Sequence, residues 1–478
     1  MNLSVRNEQR KILSACSLIE MGERYIFYTI QSLLIFYLID QLHLAHAVGA
    51  KLAGTVFGMV YISALLGGYI AERLLSYYLA VFIGSLILIF GCWTMTSVHS
   101  ENMLFVGLAF ISISSGLIKS NVSSFIGKFY DHVHARESER DFGFNIFYMG
   151  INAGIAAATF FAIYLRHQYG FGGAFYVSLM VAILVSLVAT VGFKFLKNHQ
   201  TQHNLTLKSV CYTAILISSY IAFVIYLLKN PHMAAMMFVV VAVICAVILF
   251  ISARNKQHYR VIASLIFFVL STLYWCLYMQ LFISLLLFIH YCVQHAFLGV
   301  PINTSQFVTV ESIFVLLLGV VMGKLWIYFE NKNKLVRDID KFNISFLFIG
   351  TMFLLLYLAI MFSAPGAKIP AWPLLVGVFF MGASELSLSA IGLSMVTKIA
   401  PKGYVSLYMG IWLVTIGFGS KLAGQVSSYI TVNQNIVLSK QAMSHGLLWF
   451  MGLSAAGMMV SFILRKPAIL NENLTLQK

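Results

Sequence analysis

The sequence predicts an all-α integral membrane protein with 14 transmembrane helices, grouped six, two and six. Three observations predict it. Apolar residues make up 60% of the 478 positions, only 10% are charged, and mean hydropathy is +0.87. A soluble globular chain carries roughly 25% charged residues, so a bilayer has to be the solvent of this one. Apolar runs of the roughly 20 residues a spanning helix needs recur along the chain, parted by short polar links. Lys and Arg then fall in alternate links.

Taken in order, the first six spans are 14–39, 50–70, 77–97, 103–127, 145–165 and 173–196. Two more, 207–228 and 233–253, are almost free of ionisable residues. The last six are 261–293, 309–329, 342–363, 372–397, 404–430 and 444–464. With the N-terminus cytoplasmic, 23 of the 31 Lys and Arg lie in inside segments and five in outside ones. The other three (Arg24, Lys119, Lys421) lie within helices. One miscounted helix would invert every later link and erase that asymmetry, so both termini are expected inside. The expected domains are an N-terminal six-helix bundle over 1–198, a two-helix insertion over 199–258 and a C-terminal six-helix bundle over 259–478. Two such bundles suggest a transporter with a substrate cavity between the halves.

The net charge of +15 would point a soluble protein towards nucleic acid; here topology accounts for it, and no nucleic-acid partner is expected. Six scattered cysteines without a CxxC predict neither a disulfide framework nor a metal site. His43, His46, His132 and His134 lack a third ligand nearby, so neither metal nor cofactor is expected. The first apolar stretch is interrupted by charge and no small-residue cleavage site follows it, so no cleaved signal peptide is expected.

A charge at the bilayer centre costs about 2.5–3.5 kcal/mol on insertion scales and survives only with a partner or a wet cavity. Seven residues fall in that class: Glu20, Glu23, Arg24, Lys119, Glu311, Glu385 and Lys421. Glu20, Glu23, Arg24 and Tyr28 stand at i, i+3, i+4 and i+8, along one helix face. Two carboxylates against one guanidinium leave a surplus negative charge, for which Lys119 is the available cation. A static buried salt bridge is the structural alternative. Apolar packing would hold the helices as well as such a pair, which favours a breakable proton relay.

Several motifs then point to one family. Glu20-Met21-Gly22-Glu23-Arg24-Tyr25-Ile26-Phe27-Tyr28 resembles the ExxERFxYY signature of proton-dependent oligopeptide transporters. Gly67 to Arg73 is similar to the GGxxADR turn of that family, Gly116 to Asn121 to its GxxKPN stretch, and Phe147 to Gly154 to its FYxxINxG signature. Leu277-Tyr278-Met279-Gln280 with Ser284 resembles the seventh main helix of bacterial dipeptide/tripeptide permeases. Glu385 through Met395, then Pro401, Met409-Gly410 and Trp412, follow the tenth and eleventh.

The resemblance covers nearly the whole chain. It implies a major-facilitator fold, a multi-pass protein of the cytoplasmic (inner) membrane, and a monomer that imports di- and tripeptides with protons. It also implies that Glu20, Glu23, Arg24 and Lys119 carry proton coupling. Arg24 and Lys119 would face the peptide carboxylate, and Asn152 and Glu385 its amino group. Tyr28, Tyr61, Trp275 and Trp412 would line side-chain pockets, although each aromatic could instead be helix packing. Gln280, Ser284 and Glu311 complete the substrate-binding set. A lone basic pole and a lone acidic pole suit a dipolar substrate, and reading the ends of a peptide tolerates many side chains.

The sequence also departs from the family. Ser120, Ser312 and Ala390 stand where its helices carry prolines, so kinks there are not expected. Glu311 replaces an Asn, and Lys421 has no family role. A Lys421–Glu311 ion pair would explain both; a lysine snorkelling to the interface is the alternative for Lys421. A transporter of the same fold for an amino acid, nitrate or an amine-bearing drug is the second functional reading. An integral membrane enzyme would need a nucleophile, base or metal cluster, and none is apparent.

Overall fold

The computed structural model describes residues 3–98, 100–132, 137–196, 206–252, 258–332, 337–400 and 405–464. The long apolar runs form helices because every backbone N–H and C=O must be satisfied within its own segment in hydrocarbon. In order these are α1 (Leu3–Phe36), α2 (His46–Arg73), α3 (Tyr77–Thr96), α4 (Glu101–His132), α5 (Glu137–Leu196), α6 (Leu207–Lys229) and α7 (Pro231–Ser252). There follow α8 (His258–Tyr278), α9 (Ser284–Cys292), α10 (Gln306–Asn331), α11 (Asp338–Met361), α12 (Trp372–Ile399), α13 (Val405–Ser427) and α14 (Ile436–Ile463). The described sheet is one small hairpin, β1 (Ala296–Phe297) against β2 (Val300–Pro301).

Among the described residues, 12 helical segments are long and apolar enough to cross a membrane. α1 is outside that set and carries Glu20, Glu23 and Arg24. α5 enters it as a single segment although it has 60 residues; its backbone leaves the helix at Gly170, with φ +70° and ψ −176°. Only glycine adopts that conformation readily, so Gly170 separates two spans.

The chain forms two compact units: residues 1–42 with 59–230, and 43–58 with 231–478. By this division α6 falls in the first unit and α7 in the second. Side-chain bonds show how. The Tyr220 hydroxyl of α6 donates to the Met59 carbonyl at 2.9 Å and lies 3.1 Å from the Ser112 hydroxyl of α4. In α7, Ser252 bonds Tyr408 of α13 at 2.7 Å, and the Phe238 and Phe418 rings meet at 5.9 Å. In the first unit α1 packs on α5 and α3 on α4; in the second α8 packs on α13 and α12 on α10 and α11.

As expected without internal prolines, α4, α10 and α12 run unbroken past Lys119, Glu311 and Ser389. The single expected span over 261–293 does break. Met279–Phe282 tightens to a 3-10 turn, and Ile283 sits at φ −122°, ψ −88°, before the chain resumes as α9. Gln280 holds the break together. Its Nε2 donates to the Cys276 and Ala423 carbonyls at 3.3 Å each, and its Oε1 accepts from Ser284 and Ser427 at 2.6 Å each. Gln280, Ser284 and Ser427 are fully buried, so any bond lost there leaves an unsatisfied group in a dry place. Gln280→Leu should strand both hydroxyls and lower stability by about 1–3 kcal/mol, read as a drop in thermal unfolding temperature of the detergent-solubilised protein.

Candidate functional site

The first unit gathers charge around Arg24. One turn of α1 brings its Nε within 3.4 Å of Glu20 Oε1. The same Nε donates to Glu23 Oε2 at 2.5 Å, and Nη2 pairs with that oxygen as well. Ser115 of α4 closes the ring: its hydroxyl donates to Glu23 Oε1 and accepts from Arg24 Nη2 at 3.3 Å. The guanidinium also lies 5.1 Å from the Phe27 ring. Glu20, Glu23 and Arg24 are only 1–3% exposed, so this pairing has no help from solvent. Both oxygens of Glu23 are bonded, whereas Glu20 Oε2 has no hydrogen-bond partner among the described residues.

Lys119 lies one turn beyond Ser115 on α4 and is half-buried. Its ammonium sits 4.0 Å from the centre of the buried Tyr61 ring, a cation–π contact. It forms no ion pair with Glu20 or Glu23 among the described residues, because Arg24 already spans both. This state thus holds a carboxylate oxygen without a donor and a cation without a counter-ion. The half-buried Tyr28 packs edge-on against Phe27 at 5.5 Å. Asn152 of α5 is buried and donates to the Tyr148 carbonyl of its own helix at 3.0 Å.

The second unit gathers carboxylates. Tyr278 of α8 donates to Glu385 Oε2 of α12 at 3.0 Å, and the same hydroxyl lies 3.4 Å from Glu311 Oε1 of α10. Glu311 is 2% exposed, while Glu385 is half-buried. Trp275 precedes Tyr278 on α8, its ring 5.2 Å away. Its indole N–H is buried without a hydrogen-bond partner among the described residues. Trp412 is buried between Phe268 and Phe342, at 6.3 and 6.2 Å, so it is core packing in this conformation. Gly392 makes room for it, since a Cβ there would collide with the indole. Gln280 and Ser284 sit in the helix break, bonded to each other.

The expected Lys421–Glu311 ion pair is not formed. Lys421 of α13 instead donates to Thr55 of α2 at 2.7 Å and lies 5.9 Å from the Phe238 ring. It is 5% exposed, so it does not snorkel either. Thr55 passes its own proton to the Lys51 carbonyl at 2.7 Å, which leaves its oxygen free to accept from Lys421. The close packing of α2 on α13 sets this up: a Cβ at Gly54 would fall 2.6 Å from the Ser420 carbonyl oxygen.

Sequence reasoning passed over Ser115, Tyr278 and Thr55. Ser115 could have been found, since it lies four residues before Lys119 and so on the same face of α4. Tyr278 was in view only as part of a motif. Among the described residues no three His, Cys, Asp or Glu side chains gather as a metal would require; His134 lies outside them.

Comparison with known proteins now bears on this arrangement. The model of the POT family matches residues 78–444. Dipeptide and tripeptide permease A of Erwinia pyrifoliae is 26% identical over 462 residues, covering 94% of this chain and 92% of its own. Peptide transporter YePEPT of Yersinia enterocolitica is 27% identical over 455 residues, 88% of each chain. Among solved structures, a bacterial homologue of the human drug peptide transporters PepT1 and PepT2 superimposes with a TM-score of 0.83 at 22% identity, over 98% of this chain and 99% of that one. A peptide transporter POT in complex with sulfate gives 0.82, also at 22% identity, over 97% and 95%. At that identity the solved structures speak for the fold, which is that of these transporters. The family match, by contrast, spans well over half of the sequence, and this chain belongs to the POT family.

Proposed function

We propose that the protein is a symporter that imports di- and tripeptides with protons across the cytoplasmic membrane by alternating access, both termini inside and each monomer complete. Relatives named as dipeptide and tripeptide permeases support the substrate class. One observation carries the coupling: buried Glu20 keeps an oxygen without a donor while Lys119 rests on Tyr61 without a counter-ion. Such a cluster changes its pairing when a proton or a carboxylate arrives.

In the proposed cycle a proton removes the surplus negative charge of Glu20 and Glu23, which loosens Arg24 so that it joins the unpaired Lys119 in holding the peptide carboxylate. Asn152 and Glu385 take the amino group, with Glu311 behind Glu385. Tyr28, Tyr61, Trp275 and Trp412 serve the side chains, and Gln280 and Ser284 the break beside them. Deprotonation on the cytoplasmic side lets Glu20 and Glu23 recapture the cations and expel the peptide. Inward movement of each positive charge is favoured by about 2.3 kcal/mol per 100 mV, enough for substantial accumulation. Ser115 acts as a positioning residue, since it orients Glu23 and Arg24 together.

Glu23→Gln and Lys119→Ala should each abolish acid-driven uptake of a labelled dipeptide into proteoliposomes, a loss of at least about a hundredfold, since the first removes one pole of a buried ion pair and the second the cation left to take the peptide carboxylate. Wild-type uptake rates in both would refute the relay. Ser115→Ala should lose about tenfold, as one hydrogen bond to a charged group contributes about 1.5–3 kcal/mol. Free amino acids that compete as well as dipeptides would move the substrate assignment to a smaller amine.

A further inference from the structure

The acid pair of the second unit has no part in the relay above. Glu311, Tyr278 and Glu385 come from α10, α8 and α12, and their side chains converge on one hydroxyl. Tyr274, one turn back on α8, also faces the pair, and its own hydroxyl accepts from Ser384 at 3.3 Å. No cation balances the two carboxyl groups: neither forms an ion pair among the described residues, and Lys421, the charged residue of α13, is engaged by Thr55.

Proton counting then decides the state of the pair. A tyrosine hydroxyl has one proton to give, and an ionised carboxylate can only accept. Tyr278 touches both groups and gives its one proton to Glu385, the nearer of them. An ionised Glu311 would then face the Tyr278 oxygen with no proton between them, in a site closed to water on the Glu311 side. Burying such a charge unpaired is far costlier than burying a carboxylic acid that donates a hydrogen bond. A second observation points to a ligand here. Trp275 is 7% exposed, its indole N–H has no acceptor among the described residues, and its ring adjoins Tyr278. An acidic pair beside an open donor suits a peptide N-terminus, where an ammonium group is followed at once by a carbonyl oxygen.

We propose that Glu311 and Glu385 hold one proton between them through Tyr278, so that the pair offers a single negative charge, at Glu385, to the peptide amino group. The proton stays with Glu311, the carboxyl sealed from solvent. The site is a second proton store, separate from the Glu20–Arg24 cluster, and its assignment to an amino group rests on the peptide-transport reading. One ammonium then meets one charge, and the pair does not have to be neutralised from outside before a peptide leaves.

Infrared spectroscopy of the full-length protein in lipid vesicles at neutral pH tests this directly. The wild type should show a protonated-carboxyl carbonyl band that is lost in Glu311→Gln. Glu311→Asn, a smaller amide, serves where the first variant does not fold. A dipeptide should shift that band in the wild type, and the N-acetylated dipeptide should leave it in place. Equal protonated-carboxyl intensity in wild type and both variants would overturn the shared proton. A band that is lost as expected but shifts equally with both peptides would overturn the assignment to the amino group. Because the band needs no transport, failure of peptide uptake would strike the transport reading and leave the shared proton standing.

Discussion

The Arg24 guanidinium is the contact from which the rest of the first unit takes its meaning. It lies against two carboxylates and the Ser115 hydroxyl in a place nearly closed to solvent. Hydrocarbon tolerates such a group only while its hydrogen bonds are met, so every change of partner there carries a large electrostatic consequence. Arg24 and Ser115 together satisfy both oxygens of Glu23, and Arg24 meets Glu20 by one oxygen. Lys119 is thereby released to the face of Tyr61, where an aromatic ring stands in for a counter-ion. A rigid apolar core would have been cheaper to fold. What the charges add is a set of alternative pairings separated by modest energies, and a transporter cycle needs such alternatives.

The second unit meets the same solvent with a different chemistry. There Glu311 and Glu385 converge on the Tyr278 hydroxyl with no ion pair to either among the described residues, and the buried Lys421 is held by Thr55 instead. The two sites therefore differ in how they respond to a substrate. On the proposed function, a peptide carboxylate would compete with Glu20 and Glu23 for the cations around Arg24, and an amino group would meet a Glu385 charge to which Tyr278 donates.

Much of the architecture was legible because hydropathy and charge report on the bilayer directly. Helix positions, the alternation of basic links and the buried ionisable residues all follow from the cost of polar groups in lipid. The motif around Glu20, Glu23 and Arg24 was readable for the same reason, since helical spacing alone puts those residues on one face. Three features were not legible. The break at Met279–Phe282 has no proline to announce it and depends on Gln280 reaching Ser427, which is distant in sequence. The partner of Lys421 is a hydroxyl on α2, and a search for an opposite charge led to Glu311 instead. Nor could the contacts of the two extra helices be read, in which Tyr220 ties α6 to α4 and Ser252 ties α7 to α13. In each case a neutral polar side chain makes the decisive contact, and neutral polar residues leave no mark on a hydropathy profile.

Coupling through the Glu20–Arg24 cluster is tested most directly by the charge that accompanies a peptide. A dipeptide zwitterion has no net charge, so any current on its transport is carried by another ion. Vesicles of the wild-type protein on a solid-supported membrane, given a jump in dipeptide concentration, should move positive charge in the direction of peptide entry. The same jump should give no sustained displacement in Glu23→Gln. Labelled dipeptide crossing in the wild type with no accompanying charge would contradict proton coupling at this cluster.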